Sequence, residues 1–244
     1  MSIYHTLEQT KQPITLLLKG PPGTGKTTKA AQFPKPCFFN FDNNLAGLRK
    51  LPIEVQKNLL IVNPQIDVKT GKELNSEKMW DNFIVQVEQV MEDKNIRTVV
   101  FDSLTTLGER LMDKVVGTSN PTVQITQKHW GDFGKYLKWL ADEILCNPAL
   151  DKNIIFIAHE QSERDDASGR VFFNLSIGGK MKSNFDLYFT DSWRCYCNFT
   201  VGNPTDYRVR VAGTNQFSAK CSLSDLPEDF SWKDQQESIL KQIS

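Results

Sequence analysis

A glycine-rich segment between an apolar run and a helical stretch constrains this chain more than any other feature. Residues 20–27 read GPPGTGKT and satisfy the spacing G-x-x-x-x-G-K-[ST]. The preceding residues 14–19 (ITLLLK) predict a buried strand, and residues 26–32 predict a helix that ends before Pro34. A strand, a glycine-rich turn and a helix N-terminus in this order form a P-loop, in which inward-turned backbone N–H groups favour phosphate.

The residue types within this segment predict how a nucleotide is held. Lys26 is expected to reach the β and γ phosphates, and the Thr27 hydroxyl is expected to coordinate Mg²⁺. Asp102 ends the apolar strand predicted at residues 98–101, where its carboxylate would lie beside the same magnesium ion. We therefore predict ATP and Mg²⁺ as cofactors. The predicted nucleotide-binding residues are Gly20, Pro22, Gly23, Thr24, Gly25, Lys26, Thr27, Thr28 and Asp102.

Two polar residues at strand ends are candidates for the remaining chemistry. Asp42 follows the predicted strand 37–41, where a carboxylate could orient the attacking water; the alternative is an Asp that only initiates a turn. His159 ends the predicted strand 153–158 and could respond to the γ-phosphate; the alternative is a histidine that only caps the strand. The predicted catalytic set is Lys26, Asp42, Asp102 and His159.

The rest of the chain alternates between strand-like and helix-like segments. Apolar residues spaced by three and four predict a helix that starts near Ser76, with Ser76 as its N-cap. They predict a second helix whose one face carries Trp130, Phe133, Leu137, Leu140, Ala141 and Ile144. Alternation of this kind predicts an α/β fold with a mainly parallel twisted sheet flanked by helices. Residues 160–170 are expected to form a charged loop without periodicity, and residues 186–221 an antiparallel extension at the sheet edge.

Length and composition favour one soluble domain. The 244 residues suffice for one large core, and no apolar run approaches the length of a membrane span. Five cysteines at irregular spacings fit reduced thiols in a cytoplasm; a metal role for the Cys195 and Cys197 pair is the alternative. Lys plus Arg and Asp plus Glu number 29 each, so any nucleic-acid binding must come from local patches. We expect a single domain with an arm (1–13), a core (14–185) and a strand-rich extension with a tail (186–244).

Several motifs, in one order, resemble those of the RecA-like ATPases, and specifically a compact bacteriophage group of single-strand annealing or recombination ATPases. Residues 99–104 (VVFDSL) are similar to the magnesium strand of RecA proteins, in which a Ser commonly follows the Asp. The pair Trp130-Gly131 and the Ala-His-Glu ending of residues 153–160 are similar to features of the phage group. The resemblance covers nearly the whole chain and implies a RecA-like core in a phage-encoded protein of the host cytoplasm.

The resemblance also implies roles for individual residues. Asp42 stands where RecA has its catalytic glutamate, and His159 where RecA has the glutamine that senses the γ-phosphate, so residues 160–177 correspond to the segment that contacts single-stranded DNA. Lys180 and Lys182 follow the pair Gly178-Gly179, which resembles the segment whose lysines reach a neighbouring subunit's ATP. Lys220 is similar to the lysine of an Ala-Lys pair with an inter-subunit role, although Cys221 and Ser222 replace the usual arginine after it.

Taken together, the sequence predicts an ATPase that binds single-stranded DNA as a ring or filament and promotes annealing or strand exchange, with a single-strand-binding protein as a possible partner. Arginines and an aromatic residue in the charged segment suit backbone attraction and base stacking; a solvated surface loop is the alternative. Other functions that remain open are a helicase or helicase loader, a nucleotide-regulated binding module and a small-molecule kinase. The candidate DNA-binding residues are Lys128, Arg164, Arg170 and Phe172.

Overall fold

The computed structural model of the protein describes residues 13–243, and the segment predicted as an N-terminal arm lies almost wholly outside them. Within the described residues, nine strands form one sheet. The strands are β1 (Thr15–Gly20), β2 (Pro36–Asn40), β3 (Leu60–Val62), β4 (Thr98–Asp102), β5 (Asn153–Arg164), β6 (Val171–Leu175), β7 (Asp191–Asn198), β8 (Asp206–Arg210) and β9 (Asp229–Ser231).

Six α-helices cover this sheet within the same part of the chain. Short 3₁₀ segments occupy Ala46–Lys50, Gly179–Ser183 and Phe185–Tyr188, and a π-helical turn occupies Ala141–Leu145. None of these helices is long and apolar enough to cross a membrane. The α-helices are α1 (Lys26–Ala30), α2 (Ile53–Lys57), α3 (Ser76–Glu92), α4 (Leu104–Val116), α5 (Gln127–Leu140) and α6 (Trp232–Ile243).

The strand order is β3-β2-β4-β5-β1-β7-β8-β9, with β6 paired to the far end of β5. The first six strands of this order run parallel, as the alternation of strands and helices predicts. Their register places Gly20 opposite His159 and Asn40 opposite Asp102. Because the carboxyl ends of parallel strands meet at one edge of the sheet, this register gathers the predicted site residues there.

An antiparallel edge completes the sheet, and the predicted fold class is confirmed. β8 pairs antiparallel with β7, and β9 pairs antiparallel with β8. The antiparallel part begins one strand later than expected, since β7 itself runs parallel to β1. The first three residues of β7 and Cys195 are buried, so this strand belongs to the core sheet in packing as well as in direction.

The expectation of an irregular charged loop at residues 160–170 was wrong. β5 continues through Arg164 and pairs antiparallel with β6, so only the turn at 165–170 is irregular. The Asp165 side chain accepts hydrogen bonds from the N–H groups of Ala167 and Ser168, which stabilises that turn. Residues 160–164 are extended because pairing with β6 supplies their backbone hydrogen bonds. The residue pattern of the segment itself does not reveal this contribution.

Two apolar layers enclose the sheet. On one face, α3, α4 and α5 pack over a row of stacked rings, with ring centroids of Phe39 and Phe101 5.1 Å apart and those of Phe101 and Phe156 4.4 Å apart. On the other face, buried residues such as Trp193 and Ile155 pack with α1 and α6. Continuous burial on both faces explains why the central strands read as apolar runs rather than as alternating patterns.

Side-chain caps fix where the helices start. The helix α3 begins at Ser76, as predicted. The Asn75 side chain accepts a hydrogen bond from the Lys78 N–H, so Asn75 is its N-cap and the prediction of Ser76 as the cap was wrong by one position. Both residue types are good caps, and the observed choice is compatible with burial of Met79 and Trp80 against the sheet. Ser103 caps α4 directly after Asp102, so the start of that helix fixes the chain beside the predicted magnesium ligand.

Candidate nucleotide-binding site

The P-loop leaves β1 through a glycine that no other residue could replace without movement. Gly20 has φ +142°, and a Cβ atom at that position would lie 2.1 Å from the carbonyl oxygen of Cys195 on β7. Gly25 adopts a left-handed conformation with φ +76° and directly precedes α1. These two glycines let the chain turn tightly from a buried strand into a helix, as the motif predicts.

Lys26 is buried and lies across the loop that it follows. Its Nζ donates hydrogen bonds to the carbonyl oxygens of Gly20 at 2.8 Å and Pro21 at 2.7 Å. Burial lowers the pKa of Lys26, although the nearby carboxylates of Asp102 and Glu160 oppose that effect. An ammonium group with little solvent and only carbonyl partners is suited to bind phosphate oxygens.

Thr27 and Asp102 meet in the structure as the sequence predicts. The Thr27 hydroxyl donates to Asp102 Oδ2 at 2.8 Å. Burial raises the pKa of Asp102 to about 6, with the Asp42 charge acting in the same direction and the Thr27 hydrogen bond and Lys26 acting against it. A buried carboxylate beside a hydroxyl, short of positive charge, suits Mg²⁺, which prefers oxygen ligands and shares them with phosphates and water.

The two remaining catalytic candidates also converge on this edge. Ser103 Oγ donates to Asp42 Oδ1 at 2.9 Å, and His159 Nε2 lies 3.9 Å from Asp42 Oδ2. Burial acts to raise the pKa of Asp42, but its interactions with the side chains of His159, Thr106 and Ser103 lower it below its ordinary value. Within the described chain, His159 Nδ1 is buried without a hydrogen-bond partner.

A cleft of about 460 Å³ connects these residues to an aromatic region that sequence reasoning missed. The P-loop residues 22–28, Asp42, Asp102 and His159 line one part, and Tyr207 and Trp232 line another. Trp232 Nε1 lies 3.4 Å from Gln32 Oε1. Tyr207 and Trp232 lie far along the chain in β8 and α6 and carry no motif, so the sequence held no signal that placed them here.

Lys29 is a second basic residue of the loop that the motif did not predict. It is buried, and its Nζ donates to the Thr24 carbonyl oxygen at 2.8 Å. The same Nζ lies 5.6 Å from the centroid of the Tyr207 ring, within the range of a cation–π contact. Lys29 therefore connects the phosphate-binding turn to the aromatic part of the cleft.

The candidate inter-subunit lysines occupy two separate places. Lys180 is exposed in the 3₁₀ segment that follows β6, whereas Lys182 forms an ion pair with Glu163 of β5 at 2.6 Å. Lys220 lies elsewhere, on a two-bond backbone bridge to Ser192 of β7. The structure therefore does not group Lys220 with the other two.

The candidate DNA-binding residues lie on the β5–β6 hairpin and at the start of α5. Arg164, Arg170 and Lys128 are exposed, and Phe172 is half-buried. Arg164 pairs with Val171, while Phe172 pairs with Glu163 one step along the ladder. Because neighbouring positions on a strand point to opposite faces, Arg164 and Phe172 do not share a surface.

Comparisons with known proteins bear on the family and on the fold of this chain. Residues 12–219 match the sequence model of a family described as AAA domain. The KaiC-like protein of Pyrococcus horikoshii OT3 aligns with 92% of this chain and 88% of its own, at 16% identity and a TM-score of 0.50. The flagellar accessory protein FlaH of Methanocaldococcus jannaschii aligns with 89% of this chain and 84% of its own, at 13% identity and a TM-score of 0.42. Curated protein sequences give no match.

The glycine-rich turn, its lysine and the strand order define the class as a P-loop ATPase with a RecA-like core. The similarity to the KaiC-like protein concerns the fold alone, given its low sequence identity. The family match extends over most of the sequence, and the chain belongs to the AAA domain family.

Proposed function

We propose that this protein binds and hydrolyses ATP and uses the nucleotide to control binding of single-stranded DNA by an oligomer, in support of annealing or strand exchange. The observation that carries the proposal is the convergence of Asp42 and His159 on the edge that also holds Lys26, Thr27 and Asp102. His159 is the residue of β5 that leads directly into the exposed β5–β6 hairpin. His159, at the edge where the phosphates are expected, therefore lies on the same strand as the first part of the candidate DNA-binding segment.

Each polar residue of the site has a distinct role in this proposal. Lys26, which donates here to two carbonyl oxygens, would bind phosphate oxygens instead. Thr27 and Asp102 would hold Mg²⁺, which would supply positive charge to neutralise the phosphates. Asp42 is ionised at neutral pH, and its polar neighbours lower its pKa further. Its carboxylate would accept a hydrogen bond from the attacking water, while Ser103 holds Oδ1 in place.

DNA binding in this proposal depends on local charge, since the whole chain has no excess of either sign. Arg164 and Arg170 extend from the hairpin and Lys128 from the first turn of α5. Glu163 of the same hairpin is already paired with Lys182. We expect modest affinity at physiological salt, so that assembly of several subunits along the strand is needed for stable binding.

The nucleotide part is tested by titration calorimetry and phosphate release with Mg²⁺ and ATP. Lys26→Ala should abolish ATP binding, and Asp42→Asn should retain binding but lower kcat by about 10²-fold or more. Asp151→Asn, an exposed carboxylate beside the amino end of β5, is the matched control and should have no effect. ATP binding without any turnover in the wild type would favour the nucleotide-regulated binding module instead.

The DNA part is tested by fluorescence anisotropy with a labelled single strand at low salt, with and without ATP. Arg164→Ala combined with Arg170→Ala should weaken binding and reduce its dependence on salt. Arg97→Ala removes an exposed arginine next to the amino end of β4, away from the nucleotide edge, and should leave DNA binding unchanged. Binding that is absent, or that ignores ATP, would contradict the proposal; duplex unwinding would favour a helicase.

A further inference from the structure

A buried ion pair lies on the opposite face of β5 from the nucleotide cleft. Glu160 directly follows His159, and its side chain is only 1% exposed. Glu160 Oε2 accepts a hydrogen bond from Arg194 Nε on β7 at 2.8 Å. In the sheet, β1 lies between β5 and β7. The ion pair therefore spans β1, the strand that leads into the phosphate-binding turn.

The Arg194 guanidinium is also held between two aromatic rings. Its carbon lies 4.3 Å from the centroid of Phe173 on β6 and 4.6 Å from that of Phe217. The Phe173 N–H donates to the Gln216 carbonyl oxygen at 2.8 Å, which fixes the two ring-bearing segments to each other. One side chain therefore connects β5, β6 and the segment that carries Phe217. Planar arginine suits this arrangement and lysine does not.

A second buried cation, Lys19, lies near this pair; the Glu160 charge acts on it, but Lys19 makes its hydrogen bond elsewhere. Lys19, which pairs with Arg194 in the sheet register, donates from Nζ to Ser218 Oγ at 2.7 Å and lies 3.5 Å from Asp186 Oδ2. Lys19 thus has its own acidic partner. Arg194 is left as the donor in contact with Glu160, so loss of either member leaves a buried charge unpaired.

The Glu160 carboxylate is only half satisfied. Its Oε1 is buried and has no hydrogen-bond partner within residues 13–243, because Arg194 makes a single contact through Nε. A two-point contact, with both carboxylate oxygens on the guanidinium, would satisfy that oxygen. Such a contact would require Glu160 and Arg194 to shift relative to each other, because Arg194 donates here through Nε alone.

From these contacts we propose that Glu160 and Arg194 are positioning residues that transmit the state of His159 at the nucleotide to the β5–β6 hairpin. The inference rests on the proposed function for nucleotide binding but not on DNA binding. Movement of His159 toward a bound phosphate shifts Glu160 on the other side of the same strand. Arg194 then transfers this displacement to Phe173 on β6, so that the hairpin opens less often when nucleotide is bound.

Hydrogen exchange at the hairpin tests this inference without DNA. Amides of β6 and the Ser176 N–H, which donates to the His159 carbonyl oxygen, report how often the hairpin opens. A slowly hydrolysed ATP analogue with Mg²⁺ should slow their exchange in the wild type by about tenfold. Glu160→Gln and Arg194→Lys should bind the analogue with nearly wild-type affinity by calorimetry, yet show little or no change in exchange.

The control variant is Arg210→Lys, which alters an ion pair of similar length, 2.9 Å to Asp229, on β8, the strand that pairs with β7. It should retain the full nucleotide response. An unchanged response in folded Glu160→Gln and Arg194→Lys, or a wild-type hairpin that ignores bound nucleotide, overturns the inference. Absence of nucleotide binding in the wild type would instead refute the proposed function, so the two failures are distinguishable.

Discussion

Asp102 remains charged at neutral pH in a place where burial favours its neutral form. Its pKa is raised to about 6, so the folded protein binds a proton more tightly than the unfolded chain does. By linkage, the contribution of Asp102 to stability falls as the pH rises from about 4 to about 6 and stays at the lower value above that range. A buried carboxylate whose ionisation destabilises the folded protein, here beside Thr27, is typical of a functional site.

The first prediction concerns Asp102→Asn without nucleotide or magnesium. At pH 8 the variant should be more stable than the wild type, by about 1 to 3 kcal/mol, because a shift of about two pKa units corresponds to about that free energy. Thermal unfolding followed by circular dichroism measures this. The gain should shrink toward pH 4, and the variant should lose Mg²⁺-dependent ATP binding. A destabilised variant at pH 8 would show that the charge is well compensated.

A second prediction tests the aromatic part of the cleft. The Tyr207 ring lies beside Gly25 of the phosphate-binding turn, and Tyr207 and Trp232 both line the nucleotide cleft. If the adenine base stacks there, Tyr207→Ala should weaken ATP binding about tenfold or more. Binding of inorganic tripolyphosphate should be unchanged, since it has no base.

The control for this prediction is Phe199→Ala, which removes an exposed aromatic residue that follows β7. Calorimetry with both ligands should give wild-type values for this variant. Equal losses of ATP and tripolyphosphate in Tyr207→Ala would instead assign Tyr207 to support of the P-loop through Lys29.

At the scale of elements, β1 and β7 approach so closely that only a glycine fits at the end of β1. Gly20→Ala would place a methyl group against the Cys195 carbonyl oxygen and strain a backbone at φ +142°. We expect a loss of about 2 kcal/mol or more, together with weakened ATP binding, because the loop starts at this residue. The measurement is thermal unfolding in parallel with nucleotide titration.

Gly134→Ala is the matched control for that experiment. Gly134 lies within α5, and a Cβ atom there would contact nothing within 4 Å. Alanine is the better helix former, so the control should gain about 0.5 to 1 kcal/mol. A Gly20→Ala protein as stable as the wild type would show that β7 can move away from the loop.

The elements that the sequence predicts are those specified by local pattern. The motif at residues 20–27 and the apolar run before Asp102 identify β1, α1 and β4 because each signal lies within a few adjacent residues. The continuation of β5 through Arg164 was not predictable in this way, since β6 supplies its hydrogen bonds. Tyr207, likewise, lies at the cleft because its strand β8 pairs with β7, which is the neighbour of β1 in the sheet.

At the scale of the whole molecule, Lys180 lies away from the nucleotide cleft. Lys180 is exposed and does not line the nucleotide cleft of its own chain. If it acts on ATP, as the resemblance to RecA implies, it must act on the ATP of another copy through a head-to-tail contact. Such contacts produce rings or filaments.

Mixing two inactive variants tests this arrangement. Lys26→Ala lacks a working P-loop, and Lys180→Ala combined with Lys182→Ala lacks the proposed contribution to the neighbour. Each alone should hydrolyse ATP poorly. An equal mixture should recover activity at about a quarter of its sites, because a site then needs an intact loop from one copy and intact lysines from the next.

Lys182 is already paired with Glu163 in the isolated chain, so the single variant Lys180→Ala shows whether Lys180 alone accounts for the contribution. Lys135→Ala, which removes an exposed lysine of α5, serves as the control partner in the mixture. Lys135→Ala should be active alone. Mixed with either inactive variant, it should give no more activity than Lys135→Ala contributes by itself. Lack of recovery in the mixture of the two inactive variants, with both shown to co-assemble by light scattering, would mean that each subunit completes its own site.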